Sequence, residues 1–67
     1  MNYLNKKQAL ELMNKGYKVT HVYFEEESYL HIVNGEMLSE DGYKYQKEFD
    51  GKSELNWTDG WYLYKKQ

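Results

Sequence analysis

Tyr29-Leu30-His31-Ile32-Val33-Asn34-Gly35-Glu36-Met37-Leu38-Ser39 is the stretch that decides the fold. A type I′ turn needs positive φ at both central positions, and Asn-Gly meets that need better than other pairs. The apolar and β-branched residues on either side then read as two antiparallel strands, about 28–33 and 36–39. A two-residue loop sets Val33 opposite Glu36, Ile32 opposite Met37 and His31 opposite Leu38. Side chains alternate along a strand, so Leu30, Ile32 and Met37 share one face and Tyr29, His31 and Leu38 the other.

Working outward toward the C-terminus, Asp41-Gly42 reads as a second tight turn leading to a strand over 43–48. Leu38 is then set opposite Tyr45 and Glu40 opposite Tyr43, which would gather Tyr29, His31, Tyr43 and Tyr45 on one aromatic face. Asp59-Gly60 reads as the turn of a last hairpin between strands 55–58 and 61–65. In it Trp57 faces Tyr62 and Leu55 faces Tyr64, while Trp61 and Leu63 point the other way. The segment between, Phe49 to Glu54 with Asp50-Gly51, reads as a loop.

Toward the N-terminus, Tyr17 to Phe24 alternates aromatic and β-branched residues and reads as the first strand, joined to the hairpin by the charged connector Glu25-Glu26-Glu27. Before it, Asn5 with Gln8 three residues on has the form of a capping box, and Gly16 suits a left-handed C-cap. A helix over about 6–15 follows. Ala9, Leu12 and Met13 fall on one stripe, leaving Lys6, Lys7, Glu11 and Asn14 toward water. The expected fold is α+β: one N-terminal helix packed on a twisted antiparallel sheet of four to five short strands, in a single domain over 1–67.

Composition narrows the functional classes. At 67 residues one hydrophobic core barely offsets chain entropy, so self-association into a homo-oligomer would help. There is no cysteine, hence neither disulfides nor thiolate metal sites, and a reducing cytoplasm is the expected location. No apolar run is long enough to span a bilayer or resembles a secretion signal. Eleven acids against nine bases leave a charge of −2, which does not favour direct binding to nucleic acid. Eight tyrosines and two tryptophans exceed what so small a core hides, so some of those rings are expected at a binding surface.

Chemistry-bearing motifs are sparse. His21 and His31, even with Glu25, Glu26 or Glu27 nearby, match no standard zinc spacing, and read as sheet residues of the aromatic face. Ser28, Ser39 and Ser53 lie in polar turns without a nucleophile elbow, and the glycines are scattered singly rather than forming a phosphate cradle. The expectation is therefore a non-enzyme with neither cofactor nor metal. The expected partner-binding residues are Tyr29, His31, Tyr43, Tyr45, Trp57 and Tyr62, with Glu25, Glu26 and Glu27 as the acidic loop.

The stretch Ala9-Leu10-Glu11-Leu12-Met13-Asn14-Lys15-Gly16-Tyr17-Lys18-Val19, leading into Tyr23-Phe24, resembles the opening of small phage and prophage proteins. It is similar to the helix, glycine turn and first strand of the family that holds the Thoeris anti-defence sponge and an inhibitor of a type II CRISPR nuclease. Trp57-Thr58-Asp59-Gly60-Trp61 is similar to the tryptophan-bearing end of that family. Where family members follow the first strand with an arginine and a Trp-Asn-Gly-type turn, Thr20-His21-Val22-Tyr23-Phe24 stands here, so no ligand residue carries over. The resemblance implies a phage-encoded accessory protein in a bacterial cytoplasm that binds and blocks a host defence protein such as a CRISPR effector. Two alternatives stand beside it: an oligomeric sponge for a cyclic or adenine-containing nucleotide, and a structural protein that self-assembles.

Overall fold

Helix α1 spans Lys6–Asn14. Its capping box forms as the sequence predicts: the Gln8 N–H donates to Asn5 Oδ1 at 2.8 Å and the Asn5 N–H to Gln8 Oε1 at 3.0 Å. At the other end Tyr17 N–H donates to Leu12 C=O and Gly16 N–H to Met13 C=O, with Gly16 at φ 96°. This paired 6→1 and 5→2 arrangement is a Schellman stop, which requires the positive φ that glycine supplies. Strands β1 (Val19–His21), β2 (Leu30–Val33) and β3 (Glu36–Ser39) follow, then α2 (Gln46–Gly51), a single helical turn α3 (Leu55–Thr58) and β4 (Trp61–Leu63). The computed structural model describes residues 3–51 and 55–65.

The four strands form one antiparallel sheet in the order β3-β2-β1-β4. The Asn34-Gly35 hairpin has the predicted register, with Val33, Ile32 and His31 opposite Glu36, Met37 and Leu38. Asn34 at φ 52° and Gly35 at φ 80° supply the two positive angles of a type I′ turn. β4 lies against β1 with Val19, Thr20 and His21 opposite Leu63, Tyr62 and Trp61. Leu4 exchanges both backbone hydrogen bonds with Trp61 and so covers part of the outer edge of β4.

α1 packs across one face of the sheet, and the core between them holds Ala9, Met13, Val19, Leu30, Met37, Phe49 and Trp61. Ile32 lies half-buried against this core as the hairpin reading requires, while Val22 is exposed. Lys6 departs from the expected wet face: its Nζ donates to the Phe49 carbonyl and lies 4.7 Å from the centre of the Phe49 ring. That contact ties the first turn of α1 to α2, with the aliphatic stem laid along apolar surface.

Three expectations from the sequence are corrected. The first strand is not Tyr17 to Phe24 but three residues, because the chain turns after His21, where Phe24 N–H donates to His21 C=O at 2.9 Å. The stretch 43–48 is not a strand. After a single bridge between Leu38 and Lys44 the chain enters α2, and Phe49 N–H bonds to Tyr45 C=O in a helical i to i+4 step. Helix formation buries Phe49 in the core, which a strand continuing along the β3 edge would not do. Finally, 55–58 is not a strand facing 61–65. It is the helical turn α3, and β4 pairs with β1 instead, so Trp57 does not face Tyr62 and Trp61 is wholly buried. The expected pairing of Leu55 with Tyr64, and Ser53 and Glu54 in the expected loop, lie outside the described side chains.

Candidate functional site

Residues 22–29 join β1 to β2 and are held at several points. Past the turn at His21, Ser28 N–H donates to Glu25 C=O at 3.0 Å, and Thr20 Oγ1 donates to Ser28 C=O at 2.8 Å. Tyr29 N–H donates to Glu40 Oε1 at 3.2 Å, which bridges this connector to the turn after β3. Glu25, Glu26 and Glu27 are exposed along it.

Between the connector and the β3–α2 turn lies an open groove of about 430 Å³, lined by Phe24, Glu25, Tyr29, Leu30, Glu40 and Tyr45, with Ser28 and Ser39 completing its polar rim. The groove reaches the lower end of the volume range typical of ligand sites, and its wall mixes ring surface with carboxylate and hydroxyl groups. No lysine or arginine lines it. Glu40 is oriented by the Tyr29 amide, which occupies only one of its two oxygens.

The predicted binding residues do not form one surface. Tyr29 and His31 lie together on the sheet face away from α1, with ring centres 5.3 Å apart. Tyr62 is also on this face, opposite Thr20, and its ring lies 5.7 Å from that of Tyr3. Tyr29 is sandwiched further by Tyr64 at 4.8 Å and by the Lys18 ammonium at 4.8 Å, a cation–π contact. Tyr43 and Tyr45 do not join this face. Ser39 N–H pairs with Tyr43 C=O and Tyr45 N–H with Met37 C=O, so the turn is a three-residue loop, 40–42, closed by Gly42 at φ 80°. Leu38 therefore meets Lys44 rather than Tyr45, and a shift of one residue moves each side chain to the opposite face. Tyr45 turns to the core and the groove, its ring 6.2 Å from Phe24, whereas Tyr43 projects into solvent, 63% exposed.

Trp57 is in neither place. It is half-buried against His21, at a ring separation of 4.4 Å, and its carbonyl accepts a 2.8 Å hydrogen bond from Trp61 Nε1. The two histidines likewise lie on opposite faces of the sheet. His21 is fully buried among Tyr23, Phe24, Trp57 and Trp61 rather than on the aromatic outer face. Its two nitrogens do different work: Nε2 donates to the Asp59 carbonyl at 2.8 Å, and Nδ1 accepts from Tyr23 N–H at 3.1 Å. A carbonyl only accepts and an amide N–H only donates, so the ring is the neutral Nε2–H tautomer.

Phe24, Ser28, Leu30, Ser39 and Glu40 line the groove but are not among the binding residues expected from the sequence. Glu40 had a legible signal in the acidic turn Glu40-Asp41-Gly42, but its neighbourhood with Tyr29 depends on the loop length. Among the described residues no group of three or more metal-ligating side chains is found, and no helix is long and apolar enough to cross a membrane. No protein-family model, curated protein or solved structure matches this chain.

Proposed function

We propose that this chain is a small inhibitor of the kind phages encode, which binds a bacterial defence protein and blocks a basic surface that would otherwise hold nucleic acid. The observation that carries the reading is the placement of Glu25, Glu26 and Glu27 on a pinned, exposed connector directly beside an aromatic groove. A basic partner surface would be drawn in by the carboxylates, and ring surface from Phe24 and Tyr45 would supply desolvated contact area once it docks. The mechanism is steric occlusion, and it asks no chemistry of the chain.

The test is capture from bacterial lysate on the tagged chain, with a triple variant E25Q/E26Q/E27Q as control. The expected result is a stoichiometric protein that is retained by the natural sequence, weakened by salt and by the triple variant, and prevented by this chain from binding nucleic acid. Retention of a nucleotide with no protein would overturn the reading in favour of the sponge.

A further inference from the structure

We infer that the groove between the connector and the β3–α2 turn is a receptor for one arginine side chain of the partner protein. The inference deepens the proposed function and rests on it for the identity of the partner as a protein.

The chemistry of the lining selects the occupant. Glu25 and Glu40 put two carboxylates on the groove, and its lining offers no cation to neutralise them. Glu36 and Lys44 form a salt bridge at 4.0 Å on the exposed surface, apart from Glu25 and Glu40. Glu40 holds one oxygen on the Tyr29 amide and keeps the other for a ligand. An anionic ligand would be repelled here, and a purely apolar one would strand both carboxylates and the hydroxyls of Ser28 and Ser39. A cation satisfies them.

Ring surface from Phe24 and Tyr45 narrows the cation further, while Tyr29, whose ring is covered by Tyr64 and the Lys18 ammonium, takes part through its amide bond to Glu40. A guanidinium is planar, weakly hydrated and carries a fork of donors, so it lies against aromatic carbon while bonding carboxylates at its edge. An ammonium is a compact, strongly hydrated point charge and uses the rings less well. The backbone bonds that pin Ser28, Tyr29 and Tyr45 hold both banks before the ligand arrives, which limits the ordering needed on binding. Because both carboxylates are exposed, one arginine alone binds weakly, in about the millimolar range, and the affinity of a complex comes from the surrounding contacts.

The probe is a blocked Gly-Arg-Gly peptide titrated into the folded chain while backbone amide resonances are followed. Blocked Gly-Lys-Gly and Gly-citrulline-Gly peptides serve as comparisons, citrulline having the shape of arginine without its charge. Saturable shifts are expected at Ser28, Leu30, Ser39 and Tyr45 with the arginine peptide, smaller ones with lysine and none with citrulline. The double variant E25Q/E40Q, which keeps the oxygen that accepts from Tyr29, is expected to retain the dispersed spectrum and weaken arginine binding about tenfold, the loss of one charge-assisted hydrogen bond. Overturning results are equal shifts with citrulline, shifts elsewhere on the chain, or arginine binding unchanged in E25Q/E40Q. The two readings fail separately. A captured partner bound equally well by E25Q/E40Q removes the groove and leaves the inhibitor, whereas arginine binding in the groove with no captured protein removes the inhibitor and leaves the groove.

Discussion

Gly60 lies directly against the His21 ring: a Cβ built on Gly60 would stand 2.8 Å from His21 Nε2 and 3.1 Å from Cε1. Gly60 also has φ 96°, a left-handed conformation that other residues adopt only at a cost. The ring cannot retreat, because Trp57, Trp61 and Phe24 close around it. Gly60→Ala therefore combines backbone strain with a steric clash and is expected to destabilise the domain by about 3 kcal/mol. Gly16 has the same φ but open space around its Cα, so Gly16→Ala should cost only the strain, about 1 kcal/mol. Urea unfolding of the two variants separates the terms, and equal losses would remove the His21 contact from the account.

His21 itself completes three things at once: it fills the aromatic cage, caps the Asp59 carbonyl and accepts the Tyr23 amide that turns the chain out of β1. His21→Leu keeps the volume but leaves a carbonyl and an amide without their partner. A loss of about 2 to 4 kcal/mol is expected, since groups stripped of a buried partner carry their full desolvation cost. Nitrogen chemical shifts of the imidazole at neutral pH provide an independent check. They should report a protonated Nε2 and an unprotonated Nδ1, and the reverse tautomer would contradict the hydrogen-bond geometry.

How much of this was legible in the sequence follows from how local each determinant is. The capping box at Asn5 and Gln8, the stop at Gly16 and the Asn34-Gly35 hairpin are each written within a few residues, and each forms as read. The turn at Gly42 was misread because Asp-Gly serves both a two-residue loop and the end of a three-residue one, and the difference inverts the face on which Tyr45 lies. The helices α2 and α3 were hidden by aromatic residues that also favour strands. A helical signal was nonetheless present for α2, since Tyr45 and Phe49 stand four apart. The burial of His21 had no local signal, because its partners Asp59, Trp57 and Trp61 lie far along the chain. The groove was only half legible for the same reason: its acidic connector is contiguous, but Glu40 and Tyr45 reach it only through the three-residue turn.

Lys6 joins α1 to α2 through the Phe49 carbonyl and ring. Lys6→Met keeps most of the aliphatic stem and deletes the ammonium, so it tests the polar part of that tie alone. The expected global loss is about 1 kcal/mol, typical of a single hydrogen bond. The sharper readout is local: amide exchange should quicken across Gln46–Gly51 while β1 and β2 keep their protection. Uniform quickening over the whole chain would mean that α2 does not open as a unit of its own.

Tyr43 and Tyr45 give the last test, because alternation alone cannot tell which of them matters. In the two-residue loop expected from Asp41-Gly42, Tyr45 would share the outer face with His31, and its removal would be nearly harmless to stability. In the three-residue loop Tyr45 N–H bonds Met37 C=O, its ring meets Phe24, and its side chain lies half-buried against the core. Tyr45→Ala should then cost about 2 kcal/mol through lost burial and a loosened groove wall. Tyr43, exposed just past the turn, should change stability by less than about 0.5 kcal/mol when replaced by alanine. Denaturant unfolding of both variants decides between the registers: a stable Tyr45→Ala would restore the two-residue loop, and with it Tyr45 would leave the groove.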